Sequence, residues 1–272
     1  MNETLIKYKE YLLARNQSLT YFNFMRVFFH YLVKKELNFI DITQATLTEF
    51  FNNGKNYSSS SKNQFIKSGR SYGEFLQIPK EQNEWVKMKL IKVERRLPEY
   101  LTLDDIKTAI KYIATYNARL DVNKIEIVLY FMFYTGVRKS ELLNLKRESF
   151  DLENCAVTIY EQKTKQEKII YYPAKLKERI QSYFNTSQEQ GNSFNITLGE
   201  LNYLFGDIMS KHLGKRIKPH LTRHGGARYM LEKGVPATIV QRILGHKSLA
   251  TTLIYLDPDQ KMIERIYKEK MH

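Results

Sequence analysis

One cysteine, one tryptophan, six prolines and twelve glycines among 272 residues exclude several classes of protein at once. Cys155 alone can build neither a disulfide framework nor a thiolate metal cluster, and a single thiol filling a core suits a reducing compartment. Glycine and proline are too scarce for a collagen-like or low-complexity chain. The longest apolar run, around Ile127 to Val137, has eleven residues, short of the roughly twenty that cross a bilayer. The opening MNETLIKYKEYLLAR interleaves charge with apolar residues and has no signal-peptide core. A cytoplasmic protein with no membrane partner is therefore expected. There is no glycine-rich phosphate loop, no HExxH and no paired-cysteine set, so P-loop enzymes, kinases and zinc proteases find no support.

Acidic residues are also in short supply. Forty-three Lys and Arg face twenty-nine Asp and Glu, a net charge of +14. An excess of this size without a lipid anchor points to a polyanion, nucleic acid being the commonest. Residues 1–97 hold sixteen cations against nine anions and the remainder twenty-seven against twenty, so each part carries +7. Both parts are expected to grip one partner. The length predicts two domains, each able to bury a core.

The first part reads as all-helical. Apolar residues recur at helical spacing over 3–14, 19–35, 43–53 and 60–77, for example Phe22, Met25, Phe29 and Leu32. Thr43 opens the third helix, and the serines from Ser58 to Ser61 supply the fourth with an N-cap. Lys62, Lys67 and Arg70 lie along that fourth helix, where they read equally as a solvated face or as contacts to phosphate. From Lys87 to Pro98 the stretch KMKLIKVERRLP is basic and closed by proline, an extended linker whose cations, Arg95 and Arg96 among them, are placed to follow a phosphate backbone. The predicted division is thus 1–86, a linker over 87–98, and 99–272.

In the second part Thr102, Asp104 and Asp105 start a helix, and another apolar helix runs to Tyr134 before a Thr135-Gly136 turn. Val157 and Ile159 are expected to pair with the run from Ile169 to Tyr172 around a lysine-bearing loop, EQKTKQEK. The remainder reads as helix, with Gly234 stopping one and Pro236 starting the next. Overall the fold class is mainly α with one small antiparallel sheet.

Arg138 falls at the first turn of VRKSELLNL, where backbone N–H groups already favour an anion, and a guanidinium there can clamp two phosphate oxygens. Glu141, three residues on, can hold that side chain; an ordinary surface ion pair is the plain alternative. His220 and Arg223 in HLTRHGGARYML share a helix face within reach of one ligand, whereas His224 reads as structural and pointing elsewhere. With nineteen tyrosines, composition does not nominate Tyr255.

TGVRKSELLNL, HLTRHGGARYMLEKGV and LGHKSLATTLIY, in this order and at these separations, resemble the tyrosine recombinase family of phage integrases and Xer-type recombinases. The likeness is strong over about 98–272, while the helical first part is similar to the family's core-binding domain by pattern and position. The resemblance implies that Tyr255 is the nucleophile, Arg138 and Arg223 the catalytic arginines, His220 the histidine three before the second arginine, and His246 the residue that is histidine or tryptophan elsewhere. It also implies a lysine in the hairpin loop. Lys163, Lys165 and Lys168 are present and Lys163 has the family's interval to the returning strand, although Gln162 and Thr164 flank it where glycines are common. Thr222 replaces the usual leucine of the HxLRH pattern, and Lys139 and Leu256 are smaller departures.

The same resemblance implies site-specific cleavage and rejoining of duplex DNA through a 3′-phosphotyrosyl intermediate. Arg138, Arg223 and His246 would stabilise the phosphorane, His220 would take or relay the phenolic proton, and Lys163 would protonate the departing 5′ oxygen, with no metal or nucleotide cofactor. Two domains forming a clamp on DNA, a homo-tetramer on two sites and a nucleoid-associated location follow from it, with an accessory recombinase or DNA-bending factor as a further partner. Met262, Ile263 and Ile266 are expected to dock a final helix on a neighbouring protomer or in cis. The chain opens on the core-binding-like helices, which favours a simple Xer-like or compact integrase over one with an arm-binding domain. The rival readings are a type IB topoisomerase-like enzyme, a hairpin-telomere resolvase and a DNA-binding regulator without catalysis.

Overall fold

A computed structural model of the chain describes residues 3–53, 56–93, 99–116, 119–161, 166–246 and 248–255, with Glu264, Tyr267, Lys268 and Met271 beyond them. Arg95, Arg96, Lys163, Lys165, Met262, Ile263 and Ile266 lie outside the described residues. The chain divides into two compact units, 1–95 and 96–272.

The first unit is helical: α1 (Glu3–Ala14), α2 (Thr20–Lys34), α3 (Gln44–Asn52), α4 (Ser59–Phe75) and the short α5 (Glu84–Lys87). Thr43 caps α3 in a reciprocal box with Thr46, and the Ser58 side chain accepts from the Ser61 N–H, so two helix starts were visible as hydroxyl residues. Leu5, Tyr8 and Leu12 of α1 and Phe22, Met25, Phe28 and Leu32 of α2 turn into a core rich in aromatic rings. Phe28, rather than the expected Phe29, is fully buried; its ring stands edge-on to Trp85 at 4.8 Å and to Phe50 at 5.0 Å. Lys87 ends α5, so the expected linker begins inside a helix.

The second unit is built on α7 (Val122–Thr135), most of whose residues are buried. Around it lie α6 (Leu103–Tyr116), α8 (Lys139–Asn144), α9 (Lys177–Thr186), α10 (Leu198–Asn202) running through a π-helical segment (Tyr203–Met209) into α11 (Ser210–His212), then α12 (His220–Glu232), α13 (Ala237–Leu244) and α14 (Leu249–Leu253). β1 (Phe150–Asp151), β2 (Ala156–Glu161) and β3 (Gln166–Tyr171) form an antiparallel sheet in that order. The β2–β3 pairing is as expected from sequence; β1, two residues long, was not foreseen. Cys155 is not fully buried core filler: it sits half-buried at φ +51° in the turn before β2, packed against the edge of the core.

Gly225 and Gly226 set the seat of α12. A Cβ on Gly226 would stand 1.9 Å from the Phe133 carbonyl oxygen of α7, and one on Gly225 would stand 1.8 Å from that of Leu101. Only residues without a side chain let these backbones meet so closely, and the approach brings the first turn of α12 beside the end of α7.

Candidate active site

Helix α7 ends at Gly136, whose left-handed φ of +62° turns the chain so that Arg138 caps α8. Glu141 binds Arg138 twice, accepting from its backbone N–H at 2.8 Å and from Nη1 at 2.6 Å. Nη1 also lies 2.7 Å from Oε1 of Glu161, at the end of β2. Nη2 reaches the carbonyls of Gly245 and Leu244 at 3.3 and 3.4 Å. Lys168 pairs across the sheet with Ile159, and strand alternation puts Glu161 on that same face. Its Nζ therefore stands 3.1 Å from Glu141 and 3.4 Å from Glu161. Burial alone would depress the Arg138 pKa, but Glu161 and Glu141 outweigh it and raise it; the same contacts hold Glu141 below the usual carboxylate range despite its burial.

Helix α12 supplies the second layer of charge. Arg223 is only 2% exposed and donates to the carbonyls of Gly136, at 2.6 Å, and of Leu244. One side chain thus ties the turn carrying Arg138 to the end of α13 that leads into His246. Burial, then the nearby Arg138, bring the Arg223 pKa down to about 10, so it stays cationic at neutral pH. His246 follows Gly245 (φ +63°); its Nδ1 lies 2.9 Å from the Thr252 hydroxyl and its carbonyl accepts from Gln241. Burial and then Arg223 and Arg138 push His246 down to about 4, leaving it neutral at pH 7. His220 is lowered as well, by burial and the same two arginines.

Tyr255 follows α14 and packs beside Ala227, Leu231, Val240 and Leu244. Its hydroxyl lies 2.5 Å from Nδ1 of His224, and its ring centroid is 6.2 Å from that of His246. Burial raises the phenol pKa, with Arg223 acting in the opposite sense. The pocket therefore brings Arg138, His220, Arg223, His246 and Tyr255 together within one chain. Arg138, Arg223 and Lys168 against Glu141 and Glu161 leave one positive charge, matching one phosphodiester.

Three residues belong to this pocket that sequence reasoning passed over or misplaced. His224 does not point elsewhere: residues four apart share a helix face as closely as residues three apart, so His220 and His224 flank one direction, their rings 4.3 Å apart. Glu161 sits at a strand end where no spacing rule marks it. Lys168 was weighed with its neighbours but not chosen; Lys163, the lysine preferred from sequence, lies outside the described residues. In the first unit, Arg70 directs its guanidinium to the carbonyls of Trp85, Val86 and Met88, Lys62 lies 5.7 Å from the Phe51 ring, and Lys67 is exposed. Among the described residues no group of three or more His, Cys, Asp or Glu side chains is placed to hold a metal ion, and no helix is long and apolar enough to cross a membrane.

A mostly helical unit with a small antiparallel sheet, holding a tyrosine within a cluster of arginines and histidines, has the make-up of a DNA recombinase. Residues 99–262 match the phage integrase family, and the chain belongs to that family, the tyrosine recombinases. It is 25% identical over 296 residues to a tyrosine recombinase of Pseudothermotoga lettingae, an alignment covering 98% of each chain. It is 29% identical over 212 residues to the tyrosine recombinase XerA of Thermococcus onnurineus, covering 73% of this chain and 71% of that one. Its fold is similar to that of the Tn1549 transposon integrase solved with a circular intermediate DNA, with a TM-score of 0.72, 15% identity and 98% and 99% of the two chains covered. It is likewise similar to the XerH site-specific recombinase bound to its difH substrate, with a TM-score of 0.65, 21% identity and 93% and 80% covered.

Proposed function

We propose that the chain cleaves one strand of duplex DNA at a specific site by attack of Tyr255 Oη on a phosphodiester, forming a 3′-phosphotyrosyl bond, and then reverses the step with a second 5′ hydroxyl. A phenol near pKa 10 is a weak nucleophile at neutral pH, so the phosphate must arrive where fixed cations offset its charge. Arg138 and Arg223 supply those cations, and His246 is a hydrogen-bond donor to the extra negative charge of the phosphorane. Losing one such donor is worth about 100- to 1000-fold in rate. Lys163, on the family likeness, is the acid for the 5′ oxygen. Because one phosphoester replaces another, no energy source is needed.

The observation that carries this reading is the Tyr255 hydroxyl lying in the same pocket as the Arg223 side chain and His224, in one protomer. Duplex DNA is the partner, and exchange between two sites by four copies of the chain is the assembly that this chemistry calls for. The basic helix α4, with Lys62 and Lys67, and the cations of the segment after α5 are the surfaces that would follow phosphates outside the pocket, giving binding a steep salt dependence.

The test is covalent capture. A library of nicked duplexes with randomised sequence, in which the fragment beyond the cleaved bond diffuses away, should yield duplexes that trap the wild-type chain and leave Tyr255→Phe uncoupled. Relaxation of supercoiled plasmid lacking any selected site would point instead to a topoisomerase, and binding without any trapping to a regulator.

A further inference from the structure

We propose that His224 is the group that receives the phenolic proton as Tyr255 attacks, and that it does so within one protomer. This rests on the reading of Tyr255 as nucleophile and adds a residue to it. Two distances separate His224 from His220, the histidine to which the family likeness gives the proton. The Tyr255 hydroxyl is 2.5 Å from His224 Nδ1, within hydrogen-bond reach, and the Tyr255 ring lies against the rings of His224 and His246 at 5.2 and 6.2 Å, whereas the ring contact of His220 is with His224, at 4.3 Å between centroids. A general base must lie within hydrogen-bond reach of the proton it takes, directly or through one water, and His224 meets that condition directly.

The groups facing His224 are His220 and Arg223 from its own helix, His246 from the turn after α13, and Tyr255 from the end of α14. Burial and then His220, Arg223 and His246 depress its pKa to about 4, so at neutral pH the ring is uncharged and Nδ1, with the proton on Nε2, accepts from the phenol. The electrostatics make the base conditional on substrate. Without a phosphate the ring stands among cationic and neutral groups that oppose an imidazolium, and Tyr255 stays protonated. A phosphodiester brings one negative charge to the pocket, and the phosphorane formed during attack brings a second. Each favours the protonated ring, offsetting the repulsion from the neighbouring cations.

The step balances. The Oη–H bond breaks and its proton passes to Nδ1; the electron pair left on Oη forms the Oη–P bond; the P–O5′ bond breaks, its pair stays on O5′, and a proton from the acid on the far side completes the 5′ hydroxyl. In the rejoining step the incoming 5′ hydroxyl loses its proton to that acid's conjugate base, and His224 returns its proton to the departing phenolate.

The test uses the full chain and a nicked duplex selected by wild-type trapping, and compares His224→Asn with wild type under single-turnover conditions from pH 6.5 to 9. The Asn Oδ1 can take the place of Nδ1 as hydrogen-bond acceptor and cannot take a proton. The expected result is unchanged duplex binding, trapping slowed at least 100-fold at pH 7, and a deficit that shrinks about tenfold per pH unit as hydroxide replaces the lost acceptor. A duplex with sulfur in place of the bridging 5′ oxygen, whose thiolate needs no proton to leave, should not rescue the variant. Trapping by His224→Asn within threefold of wild type, a deficit independent of pH, or rescue by the sulfur duplex would each overturn the assignment. Should the Asn variant melt well below wild type, His224→Ala with added imidazole is the second measurement: restored trapping supports proton transfer and no restoration opposes it. Failure of wild type to be trapped on any duplex would strike the reading of Tyr255 itself and is thereby told apart.

Discussion

Glu161 holds its carboxylate 2.7 Å from Nη1 of Arg138, occupying a donor that a phosphate oxygen would otherwise use. Nη1 also binds Glu141, and Glu141 in addition accepts from the Arg138 backbone N–H, so of the two carboxylates Glu141 is the one that caps α8. A phosphodiester reaching Arg138 has to compete with Glu161. Glu161→Gln removes the competing charge and raises the local balance of the pocket from one positive charge to two. Affinity for a trapped-site duplex, and for orthovanadate as a mimic of the phosphorane, should rise about 5- to 30-fold, or about 1–2 kcal/mol. Titration of both ligands against the variant checks this; weaker binding would mean that Glu161 orients Arg138 rather than opposing its ligand.

Arg223 does two jobs that substitution can separate. Its guanidinium satisfies the carbonyls of Gly136 and Leu244 from a position 2% exposed, so Arg223→Ala leaves the Gly136 carbonyl without that donor, the Leu244 carbonyl with only the longer contact from Arg138 Nη2, and a void beside them. Unsatisfied buried acceptors cost about 1–3 kcal/mol each, and a loss of about 3 kcal/mol should lower the melting temperature by roughly 6–12 °C. Arg223→Lys keeps the charge and cannot span both carbonyls, and should fall between. Thermal unfolding followed by circular dichroism measures both; an Arg223→Ala chain as stable as wild type would show that the loops hold without it.

Much of this architecture was legible before any coordinates. Hydroxyl caps at Thr43, Ser58 and Thr102, and the Gly234–Pro236 stop and start, are backbone devices with local causes, and each stands where the sequence placed it. The pocket was legible through its three motif boxes, because the spacing within a box survives folding. Glu161 and Lys168 were not, since they meet Arg138 and Glu141 only through the register of β2 against β3, and register across a loop is not written in either strand alone. His224 is the opposite case: its position four after His220 carried the signal, and weighting the three-residue interval hid it.

The paired glycines of α12 predict a stability effect with no chemical component. Gly226→Ala would set a methyl group 1.9 Å from the Phe133 carbonyl oxygen, a backbone atom in the last turn of the buried α7. Overpacking in a core costs about 1–3 kcal/mol when side chains can shift, and here the obstacle is backbone on both sides, so the loss should reach about 3 kcal/mol or more. Gly206→Ala, whose added Cβ meets nothing within 4 Å, is the matched control in the same unit. Denaturant titration should separate the two; equal midpoints would mean that α12 slides without penalty.

Acid should unfold the second unit through its histidines before its carboxylates. His224 and His246 are each pushed down to about 4, chiefly by burial, then by His220 and Arg223 around the first and by Arg223 and Arg138 around the second. Between the ordinary histidine pKa near 6.5 and about 4, the unfolded chain binds protons that the folded chain does not, so stability falls as pH falls across that window and levels off below it. Glu141, whose carboxyl is held low in the folded state, contributes a later loss, below its ordinary value near 4.5. Melting temperature measured from pH 7.5 to 4 should therefore decline from about 6.5 downward in wild type, and the decline should be shallower in a His224→Asn, His246→Gln double variant. Bound duplex brings negative charge to the same rings and raises their affinity for protons, so binding at pH 5.5 should take up protons from solution. Calorimetric titration in buffers of different ionisation enthalpy reads that uptake; proton release on binding, or none, would show that neither ring faces the phosphate.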